Sequence, residues 1–143
     1  MGADSAPLRR IRTETDLAAG AAALGRAVPR FAPVLAALGP LRLRRRPEGY
    51  ATLVHAIVSQ QVSVASASAI WARLEAAGLT TPAAIAGAAE ADLIAVGLTR
   101  AKQRYVRALA LSGIDYPALG HMPPEAAIKR LTQQPGIGRW TAE

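Results

Sequence analysis

The sequence predicts an all-α protein. Three observations lead to this fold class: alanine supplies much of the 51% apolar fraction, aromatic residues make up only 4%, and no run of β-branched residues reads as a convincing strand. A chain of 143 residues is long enough for one domain with a proper core, but not for two comfortable ones. We therefore expect many short helices and no internal repeat.

The composition also limits the partners and the compartment. Basic residues outnumber acidic ones by 17 to 10, and this balance suits a polyanion such as nucleic acid. A membrane surface or a ribosome would fit the same charge, and a GC-rich genome would also explain the arginine excess. The absence of cysteine excludes disulfides, zinc ribbons and iron–sulfur clusters within these residues. Since no apolar run approaches transmembrane length, we expect a cytoplasmic protein with no membrane partner. We also expect it to be a monomer and, given its basic charge, to associate with the nucleoid.

The first 46 residues are expected to form an N-terminal basic helical lead. Thr15 or Asp16 is predicted to cap a first helix, and residues 31–38 a short second one. The arginine-rich residues 42–46 are interpreted as a solvated connector, with direct phosphate contact as the alternative.

Residues 47–143 are expected to form the main domain, built from successive short helices. Pro47 is a candidate first helical residue, and apolar positions follow it at helical spacing as far as Val58. Ser63 is predicted to cap the next helix, which ends near Gly78.

Four further helices are indicated by the residues at their ends. Thr81 and the proline after it open one, and Gly97 ends the next. Thr99 is predicted to cap a helix over residues 100–112, and Pro124 lies at the start of the last complete helix.

The most informative segment is the Pro-Gly-Ile-Gly loop at residues 135–138, which is followed by the opening of a helix. Its two glycines permit positive φ and close approach to another molecule. The amides of Gly138, Arg139 and Trp140 should lie free at the helix N-terminus, where they suit a phosphate. Ile137 is expected to anchor the loop in the protein.

Helix, loop and helix together, at about residues 124–143, form a helix-hairpin-helix. That element alone indicates only a sequence-independent clamp on the DNA backbone. A merely tight turn between two helices is the alternative.

Three segments in this order resemble the helix-hairpin-helix DNA glycosylase superfamily, and most closely its 3-methyladenine DNA glycosylase II (AlkA-like) branch. They are residues 53–63 (LVHAIVSQQVS), 97–102 (GLTRAK) and 131–142, and the resemblance covers roughly residues 47–143. It implies the N-terminal portion of a glycosylase domain with double-stranded DNA carrying a damaged base as the partner. It further implies that the damaged base, an alkylated purine such as 3-methyladenine, is flipped out and removed by hydrolysis.

The resemblance also implies roles for single residues. Gln61 matches the wedge that enters the gap left by the flipped nucleotide, although an ordinary polar residue at a helix end is the alternative. Gln60 is expected to be structural, tying the junction to neighbouring backbone. The residues assigned to DNA contact are Gln61, Gly136, Ile137, Gly138, Arg139 and Thr141, of which Thr141 could equally have a helix-surface role.

A monovalent cation is implied at the hairpin. The backbone carbonyls of Thr132, Gln134 and Gly136 match positions that hold such an ion in relatives. Gln134 departs from the apolar residue that is common before the Pro-Gly pair. No cofactor is expected to be required.

Trp140 stands where members of the family that also cleave the DNA backbone have a lysine, whose amine forms a Schiff base with the sugar. An indole cannot do this, but it can stack on a cationic alkylated base in the substrate pocket. The alternative is a purely structural tryptophan. The resemblance therefore implies a monofunctional hydrolase.

The family's catalytic aspartate is expected roughly 20 residues past the hairpin, which is beyond Glu143. No residue of the chain is assigned a catalytic role, because its acids and histidines fit helix starts and solvent faces. We therefore expect a C-terminally truncated glycosylase that is inactive in isolation. The alternative is a non-catalytic helix-hairpin-helix DNA-binding module. A basic helical domain that binds another kind of partner is a third, less favoured hypothesis.

Overall fold

A computed structural model describes residues 11–143; residues 1–10, where the expected basic lead begins, lie outside the described part. Ten α-helices and one 3-10 turn, without any β-strand, make up the described residues, so the all-α prediction is confirmed. The chain divides into an N-terminal unit, Met1–Arg45, and a C-terminal unit, Arg46–Glu143. Among the described helices, none is long and apolar enough to cross a membrane.

The N-terminal unit contains α1 (Glu14–Ala27), a 3-10 turn (Pro29–Phe31) and α2 (Ala32–Leu38). The prediction that Thr15 or Asp16 caps α1 is wrong, because the cap is Thr13. The Thr13 hydroxyl accepts from the Asp16 amide at 3.1 Å, and the Thr13 amide donates to the Asp16 carboxylate at 2.9 Å. In this reciprocal capping box, the Thr13 hydroxyl and the Asp16 carboxylate each satisfy a backbone amide of the other residue, with Thr13 at the N-cap and Asp16 at the third helical position.

The C-terminal unit contains the other eight helices. They are α3 (Tyr50–Ser59), α4 (Val64–Ala76), α5 (Pro82–Gly87), α6 (Glu90–Ala95), α7 (Arg100–Leu111), α8 (Tyr116–Leu119), α9 (Pro124–Thr132) and α10 (Arg139–Ala142). The caps predicted at Ser63, Thr81 and Thr99 are confirmed, since each hydroxyl accepts the backbone amide three residues later.

Helix α7 is the centre of this unit, in contact with α3, α5 and α6. The side chains that are excluded from solvent come mainly from α3, α4, α5, α6 and α7: Val54, Ile57, Val58, Leu74, Ile85, Leu93, Val106 and Leu109. The packing of α3 against α7 matters most for function, because it fixes the C-terminal end of α3 beside the first turn of α7.

One predicted helix start needs correction, and one helix was missed. Pro47 is not the first residue of α3, which begins at Tyr50 after Gly49 with φ +124. The chain changes direction at this glycine, and the Pro47 carbonyl accepts instead from the Thr52 hydroxyl. Helix α8 was not predicted, because four residues are too few for an apolar period; its signal is Asp115, whose carboxylate caps it.

Candidate nucleic-acid interface

The loop between α9 and α10 is tight and anchored. Ile137 is only 4% exposed, so the expectation that it anchors the loop is confirmed, and any DNA contact at this residue must come from its backbone. The Ile137 amide donates to the Gln134 carbonyl at 3.2 Å. Only one of the two glycines needs positive φ: Gly136 has φ +81, whereas Gly138 is extended with φ −86.

Gly136 is required for a second reason, which is its contact with α7. A Cβ atom at this position would lie 2.5 Å from Cγ of the Tyr105 ring. Around Gly138, by contrast, no atom lies within 4 Å of the equivalent position. The backbone of the loop therefore packs directly on an aromatic side chain at Gly136 and is open at Gly138.

Gly138 is the N-cap of α10, and its carbonyl accepts from the amides of Thr141 and Ala142. The amides of the first helical turn, at Arg139 and Trp140, have no carbonyl partner within the helix. They lie on the loop side of a helix start, as the sequence predicts.

The junction between α3 and α4 carries Gln60 and Gln61. Gln61 is exposed and has φ +57, and it is the one non-glycine residue at positive φ in the described part of the chain. The Gln60 side-chain amide donates to the Gly136 carbonyl at 2.8 Å and lies 3.5 Å from the Thr141 hydroxyl. The expected structural role of Gln60 is confirmed, and its partner is the hairpin itself.

Lys102 anchors the same junction from α7. It is 9% exposed, and its ammonium donates to the carbonyl oxygens of Val58 at 2.7 Å and Gln60 at 2.8 Å. Burial lowers the pKa of Lys102. The sequence alone assigned this residue no individual role, although a lysine in the first turn of a helix interacts unfavourably with the helix dipole.

These elements surround one cleft of about 610 Å³. It is lined by residues of α3 and its junction (Ala56, Ser59, Gln60, Gln61), of the start of α7 (Thr99, Ala101, Lys102, Tyr105) and of the hairpin (Gly136, Trp140). The structure thus brings Gln61 and Trp140, predicted separately, to one opening. No carboxylate is among these described lining residues.

Trp140 is the most exposed large apolar residue of the described chain, with 91% of its surface accessible. Its indole is therefore not part of the core. An aromatic ring left in water at the edge of a cleft offers both faces to a stacking partner.

Arg139, predicted to contact DNA, is held by two carboxylates. Its guanidinium lies 2.6 Å from Glu125 on α9 and 2.7 Å from Glu143. The hydrogen bond from Arg139, supported by its charge, lowers the pKa of the Glu125 carboxyl. The expectation that Glu125 serves only a helix start is therefore incomplete, because its carboxylate also neutralises a basic residue of the hairpin.

Two of the three carbonyl oxygens expected at a cation site have protein partners. Gln134 accepts from the Ile137 amide, and Gly136 accepts from the Gln60 side chain. Each carbonyl oxygen has a second lone pair, so the cation remains a prediction.

His55 lies away from this cleft, at a second cavity of about 310 Å³ in the same unit. Its ring packs edge-on against Trp71 with centroids 5.1 Å apart, and its Nδ1 lies 3.3 Å from the Ser59 hydroxyl. Burial, and secondarily the charge of Arg46, lowers the pKa of His55.

Comparison with known proteins places this geometry in context. Residues 54–137 match the model of the HhH-GPD superfamily base excision DNA repair proteins. No curated protein sequence matches the chain significantly.

Solved structures of three DNA glycosylases are among those similar to this chain. A 3-methyladenine DNA glycosylase of Schizosaccharomyces pombe in complex with abasic DNA is 30% identical, with a TM-score of 0.66 over 73% of this chain and 57% of that one. A DNA-3-methyladenine glycosidase of Bacillus halodurans is 29% identical, with a TM-score of 0.71 over 83% and 58%. A 3-methyladenine DNA glycosylase of Archaeoglobus fulgidus is 28% identical, with a TM-score of 0.58 over 66% and 37%. The chain thus spans less than two thirds of each of these structures.

Proposed function

Because the chain belongs to the HhH-GPD superfamily of base excision DNA repair proteins, we propose that its C-terminal unit binds damaged duplex DNA at the cleft between α3, α7 and the hairpin. The activity proposed for the whole protein is the flipping and hydrolytic removal of an alkylated purine. The observation that carries this proposal is the shared cleft: Gln61 and Trp140, on different elements, line one opening.

The proposed division of labour follows from the positions of these groups. The amides at the start of α10 hold a phosphate of the backbone. Gln61 enters the gap that the flipped nucleotide leaves, and the exposed indole of Trp140 stacks on the extruded base. Where that base is alkylated and cationic, the indole face adds electrostatic attraction.

The chemistry proposed is hydrolysis of the N-glycosidic bond without cleavage of the DNA backbone. Trp140 cannot form a Schiff base, and the one amine at the cleft, on Lys102, donates to two backbone carbonyls. We further propose that the 143-residue chain by itself binds DNA without releasing bases, since the described residues of the cleft offer no carboxylate to stabilise the sugar cation.

A non-catalytic DNA-binding module is the second candidate, and the same lack of a carboxylate favours it. The two candidates differ in lesion preference. A base-flipping protein binds a duplex with an abasic site more tightly than an undamaged duplex, because the cost of unstacking is already met. A simple backbone clamp binds both equally.

Fluorescence anisotropy with two labelled duplexes tests the proposal. One duplex carries a central tetrahydrofuran, which is a stable analogue of an abasic site, and the other is undamaged. Both affinities are expected to fall steeply with salt, and the first duplex is expected to bind more tightly. Equal affinities would favour the simple clamp, and affinities insensitive to salt would contradict both candidates.

A further inference from the structure

The C-terminal end of α3 is closed by a side chain from another helix. The last carbonyls of a helix have no intrahelical donor and form the negative end of its dipole. Here the Lys102 ammonium supplies hydrogen bonds to two carbonyls of this end, those of Val58 and Gln60. Lys102 is a buried residue, with 9% of its surface exposed, and it forms no ion pair with a carboxylate of the described residues. These carbonyls are therefore the principal compensation for its charge.

We infer that Lys102 is a positioning residue for the wedge: by fixing the backbone of Gln60, it holds Gln61 in the conformation in which it enters damaged DNA. The inference rests on the proposed function, and it concerns a residue to which the family resemblance assigns no role. Lys102 acts through the backbone of the junction and does not itself have to touch DNA.

The first support is the backbone of Gln61. A φ of +57 is unfavourable for any residue with a Cβ atom, so the conformation persists only where the surroundings determine it. The residue that comes directly before Gln61 is held at both ends. Its carbonyl accepts from Lys102, and its side chain donates to the Gly136 carbonyl.

The second support is that these two bonds connect the elements that are proposed to contact DNA. Lys102 fixes the junction to α7, and Gln60 fixes it to the hairpin. The amides at the start of α10 and the side chain of Gln61 are therefore held in a fixed relative position before DNA binds. This lowers the conformational entropy that is lost when Gln61 enters the duplex. A junction without Lys102 would retain the hairpin but lose the fixed position of Gln61.

The chain offers a matched control, because it contains one other lysine, Lys129, which is exposed on α9. Lys102→Met and Lys129→Met remove the same charge and keep a similar side-chain volume. Both should weaken binding to any duplex through the lost charge. The discriminating quantity is the ratio of affinities for the abasic-site duplex and the undamaged duplex.

We expect Lys102→Met to lower that ratio by about tenfold, and Lys129→Met to leave it unchanged. Lys102→Arg retains a cationic donor, so its ratio of affinities should stay close to that of the wild type. An unchanged ratio in a folded Lys102→Met variant, while the wild type prefers the abasic site, would overturn the inference alone. A wild type with no preference would instead overturn the proposed function.

A measurement on the wild-type protein covers the case in which Lys102→Met does not fold. Nitrogen-15 NMR of the lysine ammonium groups should show slow hydrogen exchange at Lys102, with couplings through its hydrogen bonds to the Val58 and Gln60 carbonyls. Lys129 should exchange rapidly and serves as the internal reference. Equal hydrogen exchange at the two lysines would show that Lys102 does not hold the Val58 and Gln60 carbonyls, and would refute the inference independently of any DNA experiment.

Discussion

Replacing Gly136 with alanine tests the hairpin most severely. Two independent obstacles meet at this position. Its φ of +81 lies in the region that residues with a Cβ atom avoid, and the new Cβ would lie 2.5 Å from Cγ of the Tyr105 ring. Rotation of the ring about its Cβ–Cγ bond leaves Cγ in place, and Cβ of Tyr105 would lie only 3.0 Å from the new atom. Tyr105 must therefore change its χ1 rotamer, or α7 or the loop must move.

The expected cost can be assembled from these two obstacles. The left-handed conformation costs about 1–2 kcal/mol for a residue other than glycine. An extra methyl group in a packed site costs about 1–3 kcal/mol more. The sum of about 2–5 kcal/mol corresponds to a fall in melting temperature of at least about 8 °C for a unit of about 100 residues.

Thermal unfolding followed by circular dichroism measures this effect, and Gly138→Ala is the matched control. That position has an ordinary φ of −86 and no atom within 4 Å of an added Cβ, so its cost should stay below about 1 kcal/mol. A second variant separates the two obstacles: Gly136→Ala combined with Tyr105→Ala should be non-additive, because the clash with the ring is removed and only the 3.0 Å contact with Cβ of residue 105 remains. A Gly136→Ala variant that melts within about 2 °C of the wild type would refute the reasoning.

Three further changes have distinct expected outcomes. Glu125→Gln should release Arg139 from one of its two carboxylates and raise DNA affinity more than the charge-matched Glu90→Gln; equal effects would show that Arg139 does not contact DNA. Trp140→Ala should leave the melting temperature almost unchanged, since Trp140 is 91% exposed. The same change should weaken binding to a duplex with an alkylated purine by about 1–3 kcal/mol. A large loss of thermal stability would contradict an indole that is free of the core. His55 has a pKa below its ordinary value near 6.5, so between the two values the unfolded chain binds more protons and the free energy of unfolding should fall as pH drops below about 6.5. His55→Gln should flatten that part of the profile, and an unchanged profile would assign the titration to another group.

The helices of the C-terminal unit were largely predictable, because their signals are local. A hydroxyl at Ser63, Thr81 or Thr99 caps the amides that immediately follow it, and Gly97 ends α6 with positive φ. The errors have local causes as well. Asp16 reads as a cap, but it lies at the third helical position of a reciprocal box, and Gly49 rather than Pro47 sets the start of α3.

The cleft was predictable only in part. The wedge position and the hairpin follow from short motifs, and the structure brings them to one opening. The bonds that join them extend over long sequence separations, from Gln60 to Gly136 and from Lys102 to Val58. No periodicity or spacing reports such contacts, because they arise only when separate elements pack together. The ion pair between Arg139 and Glu125 escaped prediction because it forms only when α10 packs against α9.

The most direct test of the central claim is the crystal structure of this chain bound to a duplex with a central abasic site. We expect a phosphate oxygen about 3 Å from the amides at the start of α10, and the side chain of Gln61 in the gap opposite the abasic sugar. DNA bound with those amides free of phosphate, or with Gln61 outside the duplex, would contradict the account.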